Sequence, residues 1–202
     1  MSVFGVSWGT VESGKAEMVY MSSILSKRYN VNYLLIRPTF ISNQKEVRFK
    51  NRKVYYHHSY YPHEVFYKVK KDESYVIHVQ HFHLIEQYEL KQLIKYFKYK
   101  DVMINFIGLK FDYEANVYEQ FEFLMKEADI SEELESYCSL CGRKAKYNQA
   151  VYDGEPLPII PNKQVLINLH YEPRCEECYI HPKEVSKEIL ERPDLFFSLK
   201  QS

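Results

Sequence analysis

A chain of 202 residues, 46% of them hydrophobic, is long enough for one substantial core and a small satellite. Its 27 basic and 27 acidic residues balance, which excludes the strong field of a protein built to grip nucleic acid or an anionic membrane. No apolar run is long enough to span a bilayer and no secretory signal is recognisable, so the expected location is the cytoplasm.

Ser2–Trp8 reads as a short buried strand running into Gly9-Thr-Val-Glu-Ser-Gly14-Lys15-Ala16, the spacing of a phosphate-binding loop without its final Ser or Thr. The helix that follows carries Met18, Met21, Ile24 and Leu25 at helical spacing, which predicts an apolar face there. Strand, glycine loop and helix thus come in the order in which backbone N–H groups and a helix N-terminus meet an anion. Gly9, Ser13, Gly14 and Lys15 are the candidate phosphate-binding residues. The competing reading is an inherited strand-to-helix turn that binds nothing, and Glu12 favours it by placing an anion in the loop.

Val31–Ile36 is the next buried strand, and Val54-Tyr55-Tyr56-His57 has strand character within a polar, tyrosine-rich stretch over 40–72. The aromatic runs at 55–58 and 60–63 suit either a partner surface or ordinary packing, and packing is the favoured reading. Tyr75–Val79 returns to strand, followed by a helix with Leu90, Leu93, Ile94 and Phe97 on one face. Val102–Ile107 is a further strand closing at Gly108-Leu109, and a helix near 117–127 carries Tyr118, Phe121, Phe123 and Leu124. Strands alternating with helices predict a mainly parallel sheet that binds ligands at the carboxyl ends of its strands. His78, His81 and His83 are read as ordinary core or surface histidines rather than a metal site.

Every cysteine lies in one of two knuckles, Cys138-Ser-Leu-Cys141 and Cys175-Glu-Glu-Cys178. Thiolates three positions apart on a tight turn reach one tetrahedral ion, so the four predict a closed structural zinc site; two disulfides or four unrelated thiols are the weaker alternatives. Between the knuckles, Asp153-Gly-Glu-Pro-Leu-Pro is expected to loop out. The expected organisation is an α/β domain over 1–136, a zinc-binding lasso module over 137–180 and a tail over 181–202 with one helix.

With the loop, the strand order and the knuckles in hand, the chain resembles the cellular-type (type II) thymidine kinase family from about Val3 to Tyr179. The most specific stretches are Ala128-Asp129, Tyr137-Cys-Ser-Leu-Cys-Gly-Arg-Lys-Ala145 and Tyr171-Glu-Pro-Arg-Cys-Glu-Glu-Cys178. The resemblance implies a P-loop-type fold with a zinc-held lasso over the nucleoside base, ATP and magnesium as cofactors, phosphoryl transfer to the 5′-hydroxyl of thymidine, and a homo-oligomer. It also places Tyr113, Tyr118 and Tyr171 at nucleoside-contacting positions.

The same resemblance exposes departures. The loop's magnesium-binding hydroxyl is Ala16, and the family's Asp-Glu-x-Gln-Phe becomes His78-Val79-Gln80-His81-Phe82. The metal-side carboxylate is thus His78 and the general base is Val79, which accepts no proton. An aspartate becomes Lys110, an arginine becomes Glu114, and the lasso's glycine pair is missing near Ile167-Asn168. The expectation is a catalytically degenerate family member that binds a nucleotide or related ligand, or acts as a regulator or inhibitor. The alternatives are an active kinase, with Asp112 or Glu114 substituting for the lost carboxylates, and a ligand-free scaffold for a protein partner.

Overall fold

A computed structural model of the chain describes residues 2–38, 46–49, 52–55, 59–70, 73–152, 154–159 and 169–184. In chain order the elements are β1 (Val3–Trp8), α1 (Lys15–Arg28), β2 (Asn32–Ile36), β3 (Glu46–Phe49), β4 (Arg52–Tyr55) and β5 (Ser59–Tyr60). After a 3-10 turn over Pro62–Tyr67 come β6 (Tyr75–Gln80), a second 3-10 turn over Phe82–Leu84, α2 (Gln87–Phe97) and β7 (Val102–Gly108). The chain continues through α3 (Glu119–Glu127), β8 (Ile130–Glu133), β9 (Tyr147–Tyr152), β10 (Glu155–Pro156) and β11 (His170–Arg174). Among the described residues no helix is long and apolar enough to cross a membrane.

Six strands form one sheet in the order β5-β2-β6-β7-β1-β8, and every pairing in it is parallel. Within this sheet the strands expected from sequence agree to within a residue or two, and β5 and β8 are additions. All four residues of β8 are exposed, so no buried pattern marked it as a strand. Because the pairings are parallel, the chain leaves β1, β6, β7 and β8 at one edge of the sheet, where ligands bind in open α/β folds.

Alternation along the strands divides the sheet between two cores. Tyr75, Ile77 and Val79 of β6 join Val6, Ile104 and Phe106 on one face, covered by Leu90, Leu93, Ile94 and Phe97 of α2 and by Phe121 and Leu124 of α3. On the other face Val19 of α1 packs with Leu35 and Ile107, flanked by Met18 and Tyr33. The predicted inner face of α1 is thereby corrected. Val19, Ser23 and Ser26 are its buried residues, whereas Met21, Ile24 and Leu25 are 51%, 40% and 43% exposed. The buried stripe keeps helical spacing but is rotated onto Val19, Ser23 and Ser26.

β9 lies between β10 and β11 in a separate antiparallel sheet. The stretch expected to loop out therefore supplies β10, and the buried Leu157 after it packs with Tyr113 and Ala150, which anchors the segment. Around the aromatic run at 60–63, Pro62 and Val65 are buried and the Tyr61 and His63 rings stack at 5.8 Å, in keeping with packing. Tyr56–His58, Asp153, Ile167-Asn168 and the expected tail helix beyond Glu184 lie outside the described residues.

Candidate functional site

The glycine loop closes on itself. A Cβ on Gly9 would lie 2.4 Å from both the Leu134 carbonyl oxygen and Ser13 Oγ, so only glycine fits there. Gly14 caps α1 at φ 84, in the left-handed region. Lys15 Nζ donates to the Gly9 carbonyl (2.8 Å), to Ser13 Oγ (2.9 Å) and to the Thr10 carbonyl. Desolvation drives its pKa down to about 7 against an opposing pull from Glu17. Glu12 sits at φ 62 with its residue exposed, turned to water rather than buried within the loop.

Two residues more than a hundred positions downstream hold this loop. Thr10 Oγ1 and Ser136 Oγ form a buried hydrogen bond. The Val11 N–H donates to Asn148 Oδ1 at 2.7 Å, and Asn148 Nδ2 donates to the Phe111 carbonyl at 3.4 Å. Asn148, only 2% exposed, thus joins the glycine loop, the segment after β7 and β9 of the cysteine-bearing module. Sequence reading missed Ser136 and Asn148. A polar residue at a buried strand position is the one local sign that Asn148 gave.

At the end of β6 the side chains alternate as a strand demands. Val79 has no exposure and belongs to the larger core. His78 faces α1, where Tyr33 Oη lies 3.2 Å from its Nδ1, and burial lowers its pKa to about 4. His81 leaves the strand at φ 58, an unusual left-handed conformation for a residue with a side chain. Desolvation, with Arg37 and Lys15 nearby, lowers its pKa to about 4. His83 is buried: Nδ1 accepts the Leu109 N–H at 3.2 Å, and the ring lies 5.0 Å from that of Tyr118. His81 and His83 therefore come within 5.9 Å ring to ring, while His78 is paired with Tyr33.

The three tyrosines gather around the segment after β7. Tyr113 is buried against Ala150 and Leu157, with Tyr171 of β11 beside them, and Tyr179 Oη donates to the Tyr113 carbonyl at 2.6 Å. Burial raises the pKa of Tyr118, and it raises that of Tyr171 to about 12; Asp112 adds to both shifts. Asp112 is itself engaged as a loop cap: Oδ1 accepts the N–H groups of Glu114 (2.8 Å) and Asn116 (2.9 Å). Lys110 lies over the rings of Phe111 and Phe121 at 5.0 and 5.5 Å.

All four cysteines are free thiols whose sulfur atoms lie within 4.8 Å of one another. Four sulfurs bound tetrahedrally at a Zn–S distance of about 2.3 Å would sit about 3.8 Å apart, so this cluster is close enough to share one ion. Local hydrogen bonds shape both knuckles, with Gly142 N–H donating to the Cys138 carbonyl (2.9 Å) and Tyr179 N–H to the Cys175 carbonyl (3.0 Å). Arg143 donates Nε to Cys141 Sγ at 3.3 Å and pairs with Glu177 on the other knuckle. The hydrogen bonds from Arg143 hold the Cys141 thiol down to about 6, favouring the thiolate that a metal requires.

The mainly parallel α/β sheet and the four clustered thiols define the class of this protein. The family described as thymidine kinase matches residues 4–179, and the chain belongs to that family. It is 35% identical over 88 residues to a thymidine kinase of Enterococcus faecalis, covering 44% of this chain and 45% of that one. It is 30% identical over 100 residues to one from Listeria monocytogenes, with 48% and 52% covered. A thymidine kinase of Shouchella clausii is 27% identical over 114 residues, with 55% and 59% covered. The chain spans about half the length of the curated relatives it matches.

Proposed function

We propose that this chain is a catalytically degenerate thymidine-kinase-like protein that binds a nucleoside or nucleotide without efficient phosphoryl transfer. The observation that carries the reading is the state of the β6 end: Val79 is sealed in the core and His78 turns to Tyr33, so neither family carboxylate position bears an acid. Ala16 offers no hydroxyl, and Asp112 spends its carboxylate on its own loop. Phosphoryl transfer rests on metal positioning and charge neutralisation, and loss of a placed base alone typically costs about 10²–10⁴ in rate. Tyr113, Tyr118 and Tyr171 would contact the nucleoside, and Gly9, Ser13, Gly14 and Lys15 the phosphates of a P-loop-type site.

An active kinase using ATP and magnesium is the second reading, supported by the names of the relatives. Cys138, Cys141, Cys175 and Cys178 would hold a structural zinc ion, whose binding energy would stabilise the fold and hold the lasso. The exposed Met21, Ile24 and Leu25 on α1 support the homo-oligomer that the family resemblance implies. Calorimetric titration with thymidine tests the ligand reading. Measurable binding that Tyr118→Ala weakens is the expected result, and absence of binding by the zinc-loaded protein would leave only the scaffold reading.

A further inference from the structure

Both hydrogen bonds that tie the glycine loop to distant residues end close to a cysteine knuckle. Ser136, whose hydroxyl meets that of Thr10, stands just before Cys138. The Ser136 carbonyl accepts the Ala145 N–H at 2.9 Å, and the Cys138 N–H donates to the Arg143 carbonyl at 2.7 Å. With the Tyr137–Lys144 bridge between them, these bonds make the first knuckle the tip of a hairpin rooted at Ser136. Asn148, which accepts the Val11 N–H, pairs with Pro173 in the β9–β11 register, just before Cys175. β9 is also held beyond the second knuckle, where Gln149 Oε1 accepts the Ile180 N–H at 2.8 Å. Between the knuckles, the Arg143–Glu177 and Lys146–Glu176 ion pairs are exposed on both partners and are worth little in water. Cys138 and Cys175 are buried, so an ion shared by the four sulfurs would be the strong cross-link of these segments.

We infer that ion binding at the four thiols is coupled to order in the glycine loop through Ser136 and Asn148, a coupling that rests on the metal-centre reading above. An ion that fixes Cys138 and Cys175 also fixes the hairpin root and the β9–β11 pairing, where Thr10 Oγ1 and the Val11 N–H find their partners. Loss of the ion loosens both supports and leaves the Val11 N–H without its short bond. The effect runs equally in reverse: a loop bonded to Ser136 and Asn148 holds the knuckles in their ion-binding arrangement. No ligand in the loop takes part, so the coupling stands whether or not the loop binds a phosphate.

The test reads both directions in the full zinc-loaded chain. Amide exchange across residues 9–14 is compared before and after a chelator removes zinc, with β6 and β7 as internal reference. The expected result is exchange at least about tenfold faster in the loop, beyond any change in the reference strands. In the reverse direction, zinc affinity is measured by competition with a chromogenic chelator. Thr10→Val, which removes the hydroxyl that meets Ser136, should weaken zinc about five- to tenfold. Thr10→Ser, which keeps the hydroxyl, and Ile104→Val, a core truncation remote from both segments, should match wild type. Reciprocity requires both effects, so the failure of either overturns the coupling. Loop exchange that rises only in step with β6 and β7, or zinc weakened as much by Ile104→Val, counts as failure, because global stability then explains the result. If Thr10→Val does not fold, the exchange comparison on the wild-type chain decides alone. Zinc bound tightly beside an indifferent loop overturns the coupling and spares the metal centre, whereas a chain that takes up no zinc overturns both.

Discussion

Asn148→Ala is the substitution that bears most directly on how the two parts of the chain act together. The native side chain accepts the Val11 N–H at 2.7 Å and donates to the Phe111 carbonyl at 3.4 Å, at a position 2% exposed. Alanine removes both bonds and strands a loop N–H where water has poor access. A short buried hydrogen bond contributes about 1 kcal/mol net, and an unsatisfied buried donor costs about 1–3 kcal/mol, so the expected loss is about 2–3 kcal/mol. For a domain of this size each kcal/mol moves Tm by about 2–4 °C, which places the drop near 5–10 °C. Differential scanning calorimetry measures it, and amide exchange should show residues 9–16 opening faster than the rest of the sheet. A Tm within about 2 °C of wild type, with unchanged exchange in the loop, would refute the idea that Asn148 clamps it.

Cys138→Ser or Cys175→Ser is expected to lose bound zinc and to lower Tm sharply, since both thiols are buried members of the four-sulfur cluster; elemental analysis with a melt checks it. Lys15 binds its proton more weakly folded than unfolded, so its contribution is fully present above the ordinary value of 10.5 and lost as pH falls through about 7. Stability should accordingly rise across that window, and Lys15→Met should flatten the slope in a Tm-versus-pH series. His78, lowered to about 4 by burial, contributes stability that fades as pH drops from 6.5 toward 4, and His78→Gln should reduce that acid sensitivity. Met21→Glu together with Leu25→Glu should leave the fold intact and shift the protein toward monomer by light scattering, because both side chains are exposed in the single chain.

Much of the sheet was legible because strands alternate with helices and because β1, β2, β6 and β7 carry apolar runs bounded by turns. The face of α1 was not. Apolar residues at 18, 21, 24 and 25 describe a helical stripe, yet Val19, Ser23 and Ser26 are the buried ones, and only Val19 of the three packs in the apolar cluster with Leu35 and Ile107. β8 was hidden for a related reason: its Ile-Ser-Glu-Glu run is fully exposed, and it belongs to the sheet through backbone pairing with β1. The cysteine cluster was readable from spacing alone, since thiols three positions apart on a tight turn converge on one point. The Thr10–Ser136 and Val11–Asn148 bonds were not readable, because they join residues more than a hundred positions apart with no shared pattern.

The central claim is that the β6 end no longer supports phosphoryl transfer, and a direct assay tests it. Zinc-loaded protein at high concentration would be incubated with labelled ATP, magnesium and thymidine, beside the Enterococcus faecalis thymidine kinase as control. The degenerate reading predicts no thymidine monophosphate above background, or a rate lower by at least about 10⁴, the combined effect of a missing base and missing metal ligands. Turnover within about tenfold of the control would contradict the claim, and would mean that another group performs the work of the absent carboxylates.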